Sequence, residues 1–257
     1  MAFGAIIIGD EILSGRRQDK HLVKLIELLA ARGLKLGWAR YVGDDRPRLI
    51  DTLRQTFATG DVVFSFGGIG ATPDDHTRQS AAAALDAALV LHPEAETILL
   101  EKFGAEITPH RLQMGVYPAG ADIIPNPYNQ VPGFAIREHY FVPGFPVMAW
   151  PMVEWVLDTR YRHLHHADDY VEQAVIVWEA FEGHLIDLME AITADFPDAT
   201  LFSLPAFAEG ERRRFVELGM KGPSARVGEA MTRIEAELNR RGYAWEPKPG
   251  LGVAGDA

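Results

Sequence analysis

The chain has 257 residues, 24% of them charged and 47% hydrophobic, with no Cys. This length suits one large domain, or one domain with a small companion, and the missing Cys excludes disulfide scaffolds, thiolate metal sites and cysteine nucleophiles. Acidic residues outnumber basic ones by 36 to 25, a formal net charge of -11. Without a basic cluster, such a chain is repelled by nucleic acid and by anionic membranes. Its apolar runs fall far short of the roughly 20 residues of a membrane helix. The first residues lack a basic leader region, so the expectation is a soluble, cytoplasmic protein.

Phe3-Gly4-Ala5-Ile6-Ile7-Ile8 is a short continuous apolar run, the pattern of a strand buried on both faces. Leu22, Leu25, Ile26 and Leu29 follow at helical spacing, with Gly33 at the C-cap position. Residues 34–42 read as a second strand, interrupted by Lys35, Gly37 and Arg40, and Ile50, Leu53 and Phe57 line a helix entered through Pro47. Residues 62–66 form a third buried strand, and a helix is expected from about Pro73 through the Ala-rich stretch to Leu85. This alternation predicts right-handed crossovers and a parallel sheet covered by helices on both faces.

From Pro118 the chain turns to Pro, Gly and Asn. Residues 121–124, 133–137 and 140–142 read as short strands, and 145–157 as a helix. A polar, His-rich stretch at 159–169 marks the expected boundary between a domain over 1–162 and a smaller one over 168–247. His163, His165 and His166 have no carboxylate at helical spacing, so a metal site there is not favoured. The second part reads as strand 171–178, helix 185–192, strands 200–204 and 214–220, and helix 227–238. That order suggests a ferredoxin-like α+β layer. Residues 248–257 are Gly-rich and are expected to be disordered.

Three segments fall directly after strands: Gly9-Asp10-Glu11, Gly43-Asp44-Asp45 and Gly67-Gly68-Ile69-Gly70. A parallel sheet puts all three at its carboxyl edge, where open α/β folds bind ligands. Glycines let the backbone approach a ligand, and helix N-termini favour anions, which points to a phosphate-bearing molecule. The surrounding carboxylates call for a mediating divalent cation, or for hydroxyl and amine donors on the ligand. A nucleotide- or pterin-like ligand, with Mg²⁺, satisfies both demands. Pro73 breaks a dinucleotide fingerprint starting at Gly68, and no P-loop ending follows. A competing reading makes Thr72 and Asp75 a capping box and assigns Asp44 and Asp45 to cap the next helix. His76 stands beside the acidic loop as a further candidate for ligand contact.

Gly9-Asp10-Glu11-Ile12-Leu13-Ser14-Gly15, Val42-Gly43-Asp44-Asp45-Arg46 and the segment from Gly67-Gly68-Ile69-Gly70-Ala71-Thr72-Pro73-Asp74-Asp75 to His76-Thr77 together resemble the molybdopterin-binding domain family. The variant is the N-terminal type of competence/damage-inducible protein A (CinA). Pro118-Ala119-Gly120-Ala121, Asn126-Pro127, Pro132-Gly133-Phe134 and Pro143-Gly144-Phe145-Pro146 continue the pattern in order. The resemblance covers residues 3–160.

It implies a three-layer α/β/α domain binding molybdopterin or a related phosphorylated ligand. Family counterparts of Asp44 and Asp75 are the acidic residues tied to activity in molybdopterin adenylyltransferases, and the Gly-Gly-x-Gly loop holds the ligand. CinA-type domains are linked to metal-dependent ADP-ribose pyrophosphatase activity, and relatives form homo-oligomers. The residues this singles out are Asp44 and Asp75 for catalysis; Asp10, Glu11, Ser14, Gly67, Gly68, Ile69, Gly70, Thr72, Asp74, Pro143 and Gly144 for the ligand; and Asp10, Asp44 and Asp75 for Mg²⁺. Full-length CinA proteins also carry a C-terminal nicotinamide-mononucleotide amidohydrolase domain, whose length and motifs are not in these residues. Asn129 replaces a Gly before the Pro132-Gly133-Phe134 turn, and Asn tolerates positive φ best after Gly. Met148 replaces an acidic residue after the Pro-Gly-x-Pro segment, which bears on catalysis and not on ligand binding, so an enzyme and a non-catalytic binding or sensing module both stay open.

Overall fold

Burial on both faces is what makes a strand continuously apolar, and the first strand shows it. In the computed structural model, which describes residues 1–166, 169–207 and 213–248, β1 (Phe3–Ile8) is buried at every position. Its alternate side chains serve two separate cores. Phe3, Ala5 and Ile7 pack on one face with Leu25, Leu29, Val153 and Leu157; Ile6 and Ile8 pack on the other with Leu49, Leu53 and Ala81. Each fully buried Leu or Ile contributes about 1.5–3 kcal/mol.

The order is α1 (Asp10–Leu13), α2 (His21–Ala30), β2 (Leu36–Val42), α3 (Arg46–Phe57), β3 (Val62–Phe66) and α4 (Thr77–Ala84). There follow β4 (Leu89–Leu91), α5 (Pro93–Phe103), α6 (Pro109–Leu112), β5 (Val116–Pro118), β6 (Asp122–Ile124), β7 (Gly133–Ile136), β8 (His139–Val142) and α7 (Pro146–Arg160). The main sheet runs β2-β1-β3-β8-β7-β6. β2, β1, β3 and β8 are parallel, and β7 and β6 return antiparallel. Helices α2 and α7 cover one face and α3 and α4 the other, so the domain is a three-layer α/β/α sandwich with a mainly parallel sheet. The small antiparallel pair of β4 and β5 and the helices between them were not expected from sequence.

Two details differ from expectation. The helix expected near Pro73 begins at Thr77, because residues 72–75 close a separate turn through the bond from Asp75 N to Thr72 O at 3.0 Å. The left-handed residue before the Pro132 turn is Gln130 (φ 63), not Asn129. The Asn129 side chain instead accepts from Asn126 Nδ2 at 2.8 Å and Val131 N at 3.0 Å, closing the turn by side-chain bonding.

The chain divides into two compact units, Met1–His165 and the part from His166 onward. The second contains β9 (Tyr170–Trp178), α8 (Ile186–Asp195), β10 (Thr200–Ala206), β11 (Phe215–Pro223), α9 (Ser224–Arg240) and β12 (Trp245–Pro247). Its antiparallel sheet has the order β10-β11-β9-β12, and β12 completes the β-α-β-β-α-β ferredoxin-like pattern. Val175, Val177, Val216, Leu218 and Met220 pack against Val227, Ile234 and Leu238 of α9. Disorder was expected over residues 248–257, but Lys248 is held, donating from N to Ala174 O at 2.9 Å and from Nζ to Glu217 Oε2 at 2.5 Å, while 249–257 lie outside the described residues. Among those described, no helix is long and apolar enough to cross a membrane.

Candidate functional site at the carboxyl edge of the sheet

The parallel register of β2, β1 and β3 brings the three Gly-rich segments to one edge, where two of them interlock. Asp10 N donates to Asp44 Oδ2 at 2.9 Å and Asp44 N donates to Asp10 Oδ1 at 3.2 Å, a reciprocal pair between the ends of β1 and β2. Gly43 permits it: a Cβ there would lie 2.3 Å from Asp10 Oδ1. Burial pushes the Asp44 carboxyl above its ordinary range. The Asp10 amide opposes this, and the charges of Asp10, Glu11 and Asp74 add to the rise. Asp45 is absorbed by capping, since its Oδ1 accepts from Arg48 N at the start of α3. Of the two neighbouring carboxylates, Asp44 alone is left to the site.

The loop after β3 is held from beneath by the first two residues of α4. Gly67 N donates to Val142 O at 3.0 Å, while Gly67 O accepts from the Thr77 hydroxyl at 3.0 Å. Gly68 O accepts from Thr77 N at 3.0 Å, and Gly70 O from Arg78 Nη2 at 2.5 Å. In a trans peptide the carbonyl of one residue and the N–H of the next point in opposite directions, and among the described residues there is no cis peptide. The amides of Gly68, Ile69 and Ala71 are therefore turned away from α4. Among the described residues none of the three donates to a protein acceptor. Successive amides of this kind form an anion-binding concavity. Gly68 adopts φ +68, and a Cβ there would lie 2.2 Å from Thr77 Oγ1.

The remaining candidates fall as follows. Asp75 Oδ2 accepts from both Thr72 N at 2.8 Å and Thr72 Oγ1 at 2.5 Å. This is half of a capping box closing a free-standing turn; His76 occupies the N-cap of α4 without a side-chain bond. Asp75 is thus committed to its own loop. Among the described residues no group of three His, Asp or Glu is arranged to hold a metal ion unaided. The donor chemistry at Asp10, Glu11 and Asp44 nevertheless suits Mg²⁺, which takes one or two carboxylates and fills its other positions with water and phosphate oxygens. Ser14 Oγ donates to Glu11 O at 3.4 Å and stays exposed. Met148 Sδ accepts from Asn129 Nδ2 at 3.5 Å, a packing contact.

Pro143 and Gly144 form the turn between β8 and α7, and Gly144 lies against Gly67. Sequence reasoning missed the group that fixes this turn. His21, buried at the start of α2 and stacked on Phe66 at 4.6 Å, donates from Nε2 to Gly144 O at 3.1 Å. Burial lowers its pKa, against the opposing effects of the Gly144 carbonyl and Asp19. A cavity of about 290 Å³ opens here, floored by Ile7, Ile8 and Phe66 and rimmed by Glu11, Arg17, Gln18, Asp19 and Lys20. A more open hollow along α8, with Glu190 as its single ionisable lining residue, has no convergent polar set. Arg78 was also missed: a charge at the head of an Ala-rich helix reads as solvated, yet it is buried.

The family described as "Probable molybdopterin binding domain" matches residues 4–163. A CinA-like protein of Anaeromyxobacter sp. (strain Fw109-5) is 38% identical over 157 residues, covering 58% of this chain and 38% of the relative. A CinA-like protein of Geotalea uraniireducens (strain Rf4) is 28% identical over 256 residues, covering 95% of this chain and 60% of the relative. The chain thus spans only part of the length of these curated relatives. The crystal structure of the protein CinA from Thermoplasma acidophilum superposes with a TM-score of 0.56 at 27% identity, over 61% of this chain and 96% of that one. The matched segment is more than half of the chain and contains every loop of the carboxyl-edge site, so the chain belongs to the molybdopterin-binding domain family, in its CinA-like form.

Proposed function

We propose that the first unit binds a phosphorylated pterin or nucleotide at the carboxyl edge, with the phosphate on the outward amides of Gly68, Ile69 and Ala71. The observation that carries this reading is that these amides are unpartnered while the carbonyls before them are all bonded inward. Backbone N–H groups that project outward from a loop whose preceding carbonyls are bound inward are donors available to an acceptor supplied from outside. The cavity beside Gly144, apolar in its floor and polar at its rim, suits the planar ring of such a ligand.

A second reading, metal-dependent cleavage of ADP-ribose, is favoured by the paired Asp10 and Asp44. Each commits one carboxylate oxygen to the other's backbone, leaving Asp10 Oδ2 and Asp44 Oδ1 with Glu11 beside the cradle. Mg²⁺ bound there would neutralise a pyrophosphate and polarise it toward attack. The residues of this chain would hold the cation and orient the phosphates.

³¹P NMR of ADP-ribose with the purified protein tests both readings. Broadened phosphate resonances without new peaks establish binding alone. AMP and ribose 5-phosphate appearing only with Mg²⁺ establish the pyrophosphatase. A spectrum unchanged by protein, with and without Mg²⁺, rejects ADP-ribose and leaves pterin phosphates as the ligand class to titrate.

A further inference from the structure

Arg78 lies in the second position of α4 and is 4% exposed, yet among the described residues it bonds to no carboxylate. Its guanidinium is spent on backbone carbonyls from two separate segments: Nη2 donates to Gly70 O at 2.5 Å, and Nη1 donates to Val116 O at 3.2 Å and also to Gln113 O. Nε is buried without a partner among the described residues. Asp75 and Tyr117 act on it only through space. Burying a charge that makes no ion pair is costly, and the energy of several kcal/mol that this involves is tolerated where the group has a task.

We propose that Arg78 is the positioning residue of the anion cradle: by fastening the Gly70 carbonyl inward to the turn at 113–116, it turns the Ala71 amide outward to the phosphate. The inference rests on the cradle reading above and adds a division of labour. Thr77 sets the Gly68 and Ile69 amides through its hydroxyl and its own N–H, and Arg78 sets the third. The planar fork of an Arg can grip Gly70 and the 113–116 turn at once, whereas the single ammonium of a Lys can satisfy only one of them well. Its charge also lies behind the loop, opposite in sign to the carboxylates of Asp10, Glu11 and Asp44.

The experiment is an amide-resolved NMR titration of the full chain with inorganic pyrophosphate. In the unaltered protein the Gly68, Ile69 and Ala71 resonances should all move. In Arg78→Lys, Gly68 and Ile69 should still respond, Ala71 should not, and the dissociation constant should rise about tenfold, the usual worth of one charge-assisted hydrogen bond. An Ala71 response in Arg78→Lys equal to that of the parent overturns the proposal. So does a loss at all three amides together, which would make Arg78 a general support of the loop.

Hydrogen exchange on the unaltered protein gives a check that needs no variant. The Ala71 amide should exchange freely and become protected by pyrophosphate, and protection already present in the free protein overturns the proposal. If no amide of the unaltered protein responds to pyrophosphate, the cradle itself fails and this inference with it.

Discussion

The two ends of the six-stranded sheet obey opposite rules. At the amino end side-chain bonds predominate, although His139 Nδ1 is buried without a partner among the described residues. Asp61 accepts from Ala2 N at 2.8 Å and from Trp38 Nε1 at 3.0 Å. The Tyr140 and Tyr161 hydroxyls meet at 2.8 Å and lead on to Glu138. His139 Nε2 donates to Thr56 Oγ1 at 2.9 Å, with its ring 4.1 Å from that of Phe57. At the carboxyl end the same strands lead into amides without acceptors and into carboxylates that repel one another. The strands are common to both ends, so the difference lies in satisfaction: side-chain bonds predominate at one end and unpaired backbone amides at the other, the asymmetry on which the proposed ligand site rests.

His139 carries the largest expected effect. Truncation by His139→Ala leaves a cavity among Phe57, Phe141 and Thr56 and should cost about 2–4 kcal/mol in urea unfolding, while pyrophosphate binding at the other end stays as in the parent. Weakened binding in proportion to lost stability would show that the two ends are not separable. Burial, chiefly, and then the charge of Arg137 hold the His139 pKa at about 3, against 6.5 for an ordinary His. The unfolded chain therefore takes up a proton between those values that the folded chain refuses. The neutral ring's contribution is whole above pH 6.5 and is lost as pH falls toward 3, with a slope of up to about 1.4 kcal/mol per pH unit. The stability gap between the parent and His139→Gln should narrow over that range in urea midpoints, and a constant gap would reject the assignment.

Gly68→Ala attacks the open end. The added Cβ requires a residue at φ +68 to sit 2.2 Å from Thr77 Oγ1, so we expect a loss of about 1–3 kcal/mol. Unlike His139→Ala, it should also abolish the pyrophosphate response at position 68 and at Ile69. Retained binding after this change would move the anion elsewhere.

Much of this architecture was legible because strand ends are ordered by chain direction. Once residues 3–8, 34–42 and 62–66 were read as parallel strands, Gly9, Gly43 and Gly67 had to share an edge. What the sequence could not show was which polar group each side chain would grip. Asp44 and Asp45 are equivalent as letters, and the choice between them rests on Asp45 Oδ1 meeting Arg48 N. Thr72 and Asp75 have the spacing of a capping box, but their bond closes a turn before the helix begins. His21 and Arg78 carry no local signal, because each acts on a carbonyl far along the chain or across a turn. β12 is three residues long and contains Pro247, so its strand character comes from pairing with β9 rather than from its own composition.

The smallest expected effect separates repulsion from support within the acidic pair. Asn at position 44 keeps an oxygen to accept the Asp10 amide but removes the charge that burial and the Asp10, Glu11 and Asp74 carboxylates disfavour. A raised carboxyl pKa means that the folded state binds the Asp44 proton more tightly than the unfolded chain does. Ionised Asp44 therefore subtracts stability at neutral pH, and the loss is recovered as pH falls through its pKa. Asp44→Asn should gain a few tenths of a kcal/mol at pH 7, the scale of a partly exposed charge contact, and the gain should shrink toward pH 4. Pyrophosphate alone should bind as well or better, while its enhancement by Mg²⁺ should disappear, because the cation loses a carboxylate. If Asp44→Asn is instead less stable than the parent at pH 7, the reciprocal bond to Asp10 outweighs the repulsion. The acidic pair would then belong with the closed amino end of the sheet, and the division between the two ends would have to be redrawn around the glycine loop alone.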